Sequence, residues 1–343
     1  AKTCRRLLFS VDPFREYEQF FNCSAGHLQS VDNGVSREPG DINKDTPLGC
    51  LVRYDVLTSN AGKVFTITDR LGEAGKDRQT IVIANDVAGV ATGGGGVTSL
   101  PKGALGLVNH EVGHSFGGLN DEYDNEPGQD PDKQPPPPRD AVVATRPAPP
   151  NLMHGSDKAD VASKVIWQEW IDAEDRWWNN STVGLFEGGD RKPYHVWRPQ
   201  LSCMMRDLSG FCVVCMEHMV KQIYRNVRPV DKVEPEPGEL VLEKAEDEEV
   251  ILKVWTLQPR THDLEVVWRV LSYGLQKPAA AGGAETSGQT AVNDERLGET
   301  WRRSQSGLDP TGKTVRAAQL RAKDLEPGWH RVRCSIKDPT PWV

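Results

Sequence analysis

The chain has 343 residues, enough for one large domain or two ordinary ones. Its 49 acidic and 41 basic residues give a formal net charge of −8, which argues against a general affinity for nucleic acid. No apolar run approaches the roughly 18–20 residues of a membrane span, and residues 1–10 lack the apolar core and cleavage site of a signal peptide. Because the chain begins at Ala1, we expect a processed or truncated product.

The first hundred residues predict short elements separated by turns. Residues 13–21 favour a short helix or a helix end, and the apolar, β-branched stretch at 80–86 favours a buried strand. Glycines occupy positions 93–96 without a neighbouring GK[ST] sequence. We therefore expect a close backbone approach or a turn there rather than a phosphate-binding loop.

The middle of the chain predicts a helix followed by a long loop. Apolar residues recur at helical spacing from Leu105 to Phe116, and Gly117 and Gly118 should end the helix. The proline-rich residues 127–150 predict an extended surface loop.

The last part of the chain predicts a change of domain. Residues 163–178 and 212–227 favour amphipathic helices, the second of which ends a first domain spanning residues 1–227. The proline- and charge-rich residues 228–239 are typical of a linker. Short alternating segments then predict a small antiparallel β-sandwich, Ig-like or fibronectin-like, within residues 228–343, with a flexible loop at 279–289.

The pentapeptide HEVGH at residues 110–114 carries the clearest chemical signal. Residues four apart lie on one helix face, so His110 and His114 can bind one cation while Glu111 acts on water as a general base. Zinc-dependent hydrolysis needs this set, because zinc activates water and a carboxylate must accept the proton. The alternative is an exposed helix with a chance match, since short motifs recur by chance.

A catalytic zinc also needs a third protein ligand. In metzincins it follows in the pattern HExxHxxGxxH or HExxHxxGxxD. Gly117 occupies the glycine position here, but the ligand position holds Asn120, a poor zinc donor. We predict Asp121 as the third ligand, with the extra Gly118 absorbing the offset, and keep Glu122 as the alternative.

Metzincins also place a methionine turn beneath the metal. Residues 200–212 supply a turn-like segment with two methionines, of which Met205 is the candidate. The alternative is an ordinary core methionine.

The sequence is similar to the IgA-peptidase family of zinc metallo-endopeptidases, whose motif runs HEfGHSFaGLaDEY where residues 110–123 read HEVGHSFGGLNDEY. Further segments agree in the same order over residues 7–226: PFREYEQFFN, DINKDTPLGC, TIVIAND, GLFEGG, VWRPQLSCMMRD and FCVVC. The resemblance implies an α+β fold with a metzincin-like zinc peptidase domain. It also implies His110, His114 and Asp121 as ligands and Glu111 as base.

The resemblance further implies a protein or peptide substrate, such as host immunoglobulin or mucosal glycoprotein. A secreted, cell-surface or periplasmic location follows from the same likeness. Family members usually begin with a further strand and helix before residues 7–17, and residues 337–343 read as a strand cut short, so we expect truncation at both ends. The competing function is a non-catalytic, metal-containing protein- or carbohydrate-binding module, although an intact His-Glu-His set argues against it.

Three other groups of residues are candidate sites. Cys203, Cys212, Cys215 and His218 could bind a structural zinc, but a single CxxC is only half of such a site, which favours a disulfide with one leftover thiol or buried free cysteines. The acidic residues 121–132 could bind Ca²⁺ but lack EF-hand spacing, which favours a solvated loop. Candidates to stabilise an oxyanion or bind a substrate carboxylate, with surface or packing roles as the alternative, are Tyr123, Tyr194, His195 and Arg198.

Overall fold

A computed structural model of the chain contains two compact units, Ala1–Asn226 and Val227–Pro341. It describes residues 1–40, 43–70, 78–86, 89–124, 149–173, 177–178, 181–242, 249–275, 305–308, 314–321 and 325–341. Residues 127–148 of the predicted loop at 127–150, the whole predicted loop at 279–289 and most of the acidic run at 121–132 lie outside these residues.

The first unit contains short helices and short strands. The helices are α1 (Lys2–Leu8), α2 (Ala61–Thr68), α3 (Val108–Ser115), α4 (Lys158–Ala162), α5 (Gln168–Asp172), α6 (Met204–Asp207) and α7 (Val213–Asn226). The strands are β1 (Ser36–Glu38), β2 (Leu51–Arg53), β3 (Val56–Thr58), β4 (Thr80–Ala84), β5 (Thr92–Gly94), β6 (Val97–Pro101), β7 (Met153–His154), β8 (Trp177–Trp178), β9 (Ser181–Thr182), β10 (Phe186–Gly189) and β11 (Lys192–Arg198).

Parallel and antiparallel pairs are mixed in this unit. Strand β1 runs parallel to β2, and β2 runs antiparallel to β3. Strand β6 lies between a parallel β4 and an antiparallel β5. Strand β11 pairs antiparallel with β10 and β7, and β8 pairs antiparallel with β9.

The helix α3 is anchored in the core of the first unit. Its apolar face buries Val108 and Val112, and a 3₁₀ turn at Lys102–Leu107 leads directly into it. At its end Gly118 has φ of +62°, and its N–H donates to the carbonyl of His114 at 3.1 Å. This is the left-handed cap for which glycine is favoured, because a Cβ would be strained there.

The glycines at 93–96 form a tight hairpin between β5 and β6. Gly95 and Gly96, both at positive φ, make the two-residue turn. A Cβ on Gly93 would lie 1.9 Å from the carbonyl oxygen of Glu111, so the strand touches the backbone of α3 there. Both a turn and a close backbone approach are present, as the sequence predicted.

Three sequence predictions differ from the structure. Residues 13–17 form turns, and only Glu18–Phe20 makes a 3₁₀ turn. The described part of residues 163–178 does not form one helix. Only α5 is helical there, because Val165 and Trp167 are buried while Ile166 between them is exposed, which one helix face cannot satisfy. The predicted linker at 228–239 contains a strand, Val230–Glu234, because that segment pairs with the next strand of its sheet.

The second unit is built from antiparallel pairs. Its strands are β12 (Val230–Glu234), β13 (Glu249–Thr256), β14 (Glu265–Ser272), β15 (Gln305–Leu308), β16 (Thr314–Arg321) and β17 (His330–Lys337). They form one sheet in the order β12-β13-β16-β15 and a second of β14 and β17. Helices with mixed and antiparallel sheets make the chain α+β, the class the sequence predicted. None of the helices in the described part of the chain has the length and apolar character to cross a membrane.

Candidate metal centre

Two histidines of α3 point their Nε2 atoms at the same place. The Nε2 atoms of His110 and His114 lie 3.2 Å apart. His110 Nδ1 lies 2.9 Å from the carbonyl of Met204, and His114 Nδ1 lies 2.7 Å from the carbonyl of Leu119. A carbonyl can only accept, so each Nδ1 donates and each Nε2 keeps a free lone pair, as a metal ligand requires.

Asp121 completes a triangle with these two atoms. Its Oδ1 lies 3.1 Å from His110 Nε2 and 3.1 Å from His114 Nε2. The same Oδ1 is buried and has no hydrogen-bond partner, which is consistent with two unprotonated nitrogens facing it. Zinc–ligand bonds of about 2.0–2.1 Å imply tetrahedral edges of about 3.3 Å, so the triangle fits three ligands of one cation.

The other oxygen of Asp121 is held by two side chains. The hydroxyl of Tyr123 donates to Oδ2 at 2.7 Å, and Nη2 of Arg191 donates to it at 3.2 Å. Arg191 also donates through Nε to the hydroxyl of Tyr123 at 3.3 Å. The carboxylate is thus oriented with Oδ1 toward the histidines, in the way that outer partners orient metal ligands.

These contacts shift the protonation of the site. Burial would raise the pKa of Asp121, but both imidazoles and Tyr123 hold it well below its usual range. Burial and the hydrogen bond to Asp121 raise the pKa of Tyr123 to about 12, so its hydroxyl remains a donor. Burial would lower the pKa of His110, but Asp121 and the Met204 carbonyl raise it above the ordinary value of 6.5.

Glu111 is buried within the first turn of α3. Burial raises its pKa above the ordinary value of 4.5, against the opposing effect of the two histidines. A carboxylate with a raised pKa is a better proton acceptor and donor near neutral pH. Its position beside the histidines therefore suits a general base.

Met205 lies directly beneath the histidine-bearing helix. It is completely buried, and its Sδ would lie 2.6 Å from a Cβ placed on Gly113. The turn that carries it also supplies the Met204 carbonyl to His110 and the Met205 carbonyl to the N–H of Glu122. This segment therefore supports the ligand helix and the loop of Asp121 together.

The remaining candidate residues lie elsewhere. Arg198 is nearly completely buried, and its Nη1 donates to the carbonyls of Glu187 and Gly188, an arrangement typical of a packing role. His195, at φ of +65°, donates its backbone N–H to the Glu187 carboxylate. Within the described residues no hydrogen bond or ion pair joins Tyr194 or His195 to the three ligands.

Glu122, the alternative third ligand, points away from the histidines. Its Oε1 accepts from Asn151 Nδ2 at 3.0 Å and lies 3.2 Å from the Sγ of Cys215. Burial raises its pKa well above the ordinary value. Asn120, at the standard metzincin ligand position, instead donates to Asp190.

Sequence reasoning missed Arg191, which reaches Asp121 from 70 residues along the chain. Asp190 and Arg191 also donate their backbone N–H groups to the carbonyls of Asp121 and Tyr123. No local pattern marks such a residue, because the contact depends on how two distant segments meet.

The sequence profile of the IgA peptidase M64 family matches residues 1–177, which include the ligand triangle and Glu111. Comparison with curated proteins found no significant match. The match covers more than half of the chain, and the family implies a peptidase that uses a metal. The chain therefore belongs to the IgA peptidase M64 family.

Proposed function

We propose that this protein is a zinc-dependent endopeptidase with a metzincin-like catalytic unit. The observation that carries the proposal is the triangle of His110 Nε2, His114 Nε2 and Asp121 Oδ1, with edges of 3.1–3.2 Å. The buried Oδ1 lacks any other partner. A cation bound by these three atoms would satisfy it.

The donor set favours zinc over Ca²⁺ and Mg²⁺. Two imidazole nitrogens and one carboxylate oxygen suit Zn²⁺, whereas Ca²⁺ and Mg²⁺ prefer oxygen-only shells. Three protein ligands also leave a coordination position open, as catalytic rather than structural sites do. The side chains of His110 and His114 are 12% and 17% exposed, so both imidazoles keep some contact with solvent.

The residues around the triangle supply the rest of the chemistry. Zinc, when bound, supplies Lewis acidity that activates water and polarises the scissile carbonyl. Glu111 takes the proton from the attacking water and passes it to the leaving amine. Tyr123 and Arg191 hold Asp121 in place, and Met205 supports the helix from below.

The substrate is a protein or peptide, as expected for a peptidase. The family is named for IgA, and we extend the proposal to immunoglobulin chains as substrates. Because immunoglobulins are extracellular, we also propose a secreted, cell-surface or periplasmic location. The antiparallel sheets of the second unit form, in this proposal, a β-sandwich accessory domain.

Four variants test the proposed function. Glu111→Gln keeps the shape of the side chain but removes the base, so we expect normal zinc content and a loss of cleavage of about 10²–10⁴-fold. His110→Ala should lose one zinc equivalent together with cleavage. Asn120→Ala is the matched control for Asp121→Ala: the first should retain this zinc and the second should lose it.

Zinc content and cleavage of an unstructured protein and of IgA heavy chain are measured on the same samples. A Glu111→Gln protein that cleaves as fast as the wild type contradicts the assignment. A folded, zinc-loaded wild type that cleaves no protein supports the non-catalytic binding module instead.

A further inference from the structure

A second group of metal-binding side chains lies in the core of the first unit. The ligand atoms of Glu122, Cys203, Cys212 and Cys215, here called the cysteine cluster, all lie within 4.8 Å of one another. All four residues are completely buried, and the three thiols are free. His218, the fourth ligand that the spacing suggested, is not among them, and its Nε2 lies 3.1 Å from Gln222 Nε2.

Three of the distances between these atoms are close to those of a tetrahedral site. The Sγ atoms of Cys203 and Cys215 are 3.8 Å apart. The Oε1 atom of Glu122 lies 3.2 Å from the Sγ of Cys215 and 3.8 Å from the Sγ of Cys212. Bonds of about 2.3 Å to sulfur and about 2.0–2.2 Å to oxygen imply tetrahedral edges of about 3.8 Å between sulfurs and about 3.6 Å from sulfur to oxygen.

The backbone around the cysteines favours thiolates. The N–H of Cys212 donates to the Sγ of Cys203 at 3.3 Å, and the N–H of Cys215 donates to the Sγ of Cys212 at 3.4 Å. Cys212 also immediately precedes the first residue of α7, where the helix dipole stabilises negative charge. Hydrogen bonds to sulfur of this kind accompany metal–thiolate sites.

The carboxylate of Glu122 supplies an independent observation. Its side chain is completely buried, Asn151 orients Oε1, and Oε2 has no hydrogen-bond partner. A buried carboxylate left partly unsatisfied beside three thiols is costly unless a cation binds it. We propose that the cysteine cluster is a second, structural zinc site with three thiolate ligands and the carboxylate of Glu122.

The position of this site gives it a role. Glu122 follows the ligand Asp121 directly, and its N–H donates to the carbonyl of Met205 at 2.8 Å. Cys203 precedes Met204, whose carbonyl accepts from His110. A metal in the cysteine cluster would therefore fix the loop that carries Asp121 to the turn that carries Met204 and Met205. Asp121 and His110 would then keep their positions relative to each other.

Zinc counting on the full chain tests the proposal. The protein is produced with zinc and purified without chelator, and metal per chain is measured by mass spectrometry. We expect two equivalents in the wild type, one in the double variant His110→Ala/His114→Ala, and one in Cys215→Ser. Cys50→Ser is the matched control, because Cys50 is also buried but packs in a separate core cluster with Val52 and Leu57. This variant should keep two zinc equivalents.

A measurement on folded protein covers the case in which Cys215→Ser does not fold. The His110→Ala/His114→Ala protein is loaded with Co²⁺, and we expect sulfur-to-cobalt charge-transfer absorption in the near ultraviolet. Titration with a mercurial reagent should release its single metal as the cluster thiols react.

Two results would overturn the proposal. One is a zinc count of one per chain in the wild type and of none in His110→Ala/His114→Ala, with no sulfur-to-cobalt absorption in that variant. The other is a disulfide between two of the three cluster cysteines, found by peptide mapping without reduction. Neither result bears on cleavage by the His110, His114 and Asp121 centre, so the two proposals fail separately.

Discussion

Gly93→Ala should damage the active centre without touching a ligand. A Cβ at this position would lie 1.9 Å from the carbonyl oxygen of Glu111 and 2.7 Å from its carbonyl carbon. Both atoms belong to the backbone of α3, so no side-chain rotation can relieve the contact. Strand β5 and helix α3 must therefore separate by about 1 Å to reach the closest contacts that real Cβ atoms make, 3.0 Å.

The cost can be estimated from that displacement. Overpacking a core by one methyl group typically costs about 1–3 kcal/mol, and we expect the upper part of this range because backbone must move. A misplacement of about 1 Å in a catalytic group can reduce the rate about 10²-fold. Glu111 and both histidines lie on the displaced helix, so activity should fall more than stability alone explains.

Gly94→Ala provides the control on the same strand. Nothing lies within 4 Å of a Cβ at Gly94, so this change should be nearly neutral. Unfolding in urea gives the difference in the free energy of unfolding between the two variants. The rate at which each zinc-loaded variant cleaves substrate, divided by its folded fraction, gives the difference in activity. A Gly93→Ala protein as stable and as active as Gly94→Ala would refute the close approach of β5 and α3.

Two further predictions concern the ligands. Tyr123→Phe removes the hydrogen bond to Asp121 Oδ2, and loss of such a partner should lower zinc affinity about 10–100-fold. Tyr194→Phe is the control and should leave zinc affinity unchanged. Zinc affinity is measured by competition with a chelating dye, and equal values for Tyr123→Phe and Tyr194→Phe would refute this role of Tyr123. Because the pKa of His110 is raised above 6.5, protons begin to displace zinc from this imidazole at a higher pH than from an ordinary histidine. As the pH is lowered, the apparent zinc affinity should therefore begin to fall while the pH is still above 6.5. A decline confined to well below 6.5 would contradict it.

Much of the site could be predicted from one contiguous segment. The i, i+4 spacing places His110 and His114 on one face of a helix, and Gly118 adopts the left-handed turn that ends it. These features depend on local geometry, which neighbouring residues determine. The similarity to the IgA-peptidase family, read from the same segment, is confirmed by the match over residues 1–177.

Local patterns were less informative where burial decides the structure. Residues 163–178 have aromatic residues at spacings that favour a helix, yet Trp167 is buried and donates through Nε1 to the carbonyl of Gly184. Strand β12 forms within a proline-rich segment because its partner β13 supplies the hydrogen bonds. In both cases tertiary contacts outweigh local propensity.

The sequence by itself predicted the chemistry of α3: the i, i+4 spacing places two imidazoles on one helix face, where they can bind one cation, with Glu111 beside them as a base. It predicted Asp121 as the third ligand and kept the adjacent Glu122 as the alternative. Only the tertiary structure distinguishes them, because their side chains meet different segments of the chain. Asp121 meets the histidines and Arg191, while Glu122 meets cysteines more than 80 residues away, and contacts between such distant segments depend on the path of the whole chain.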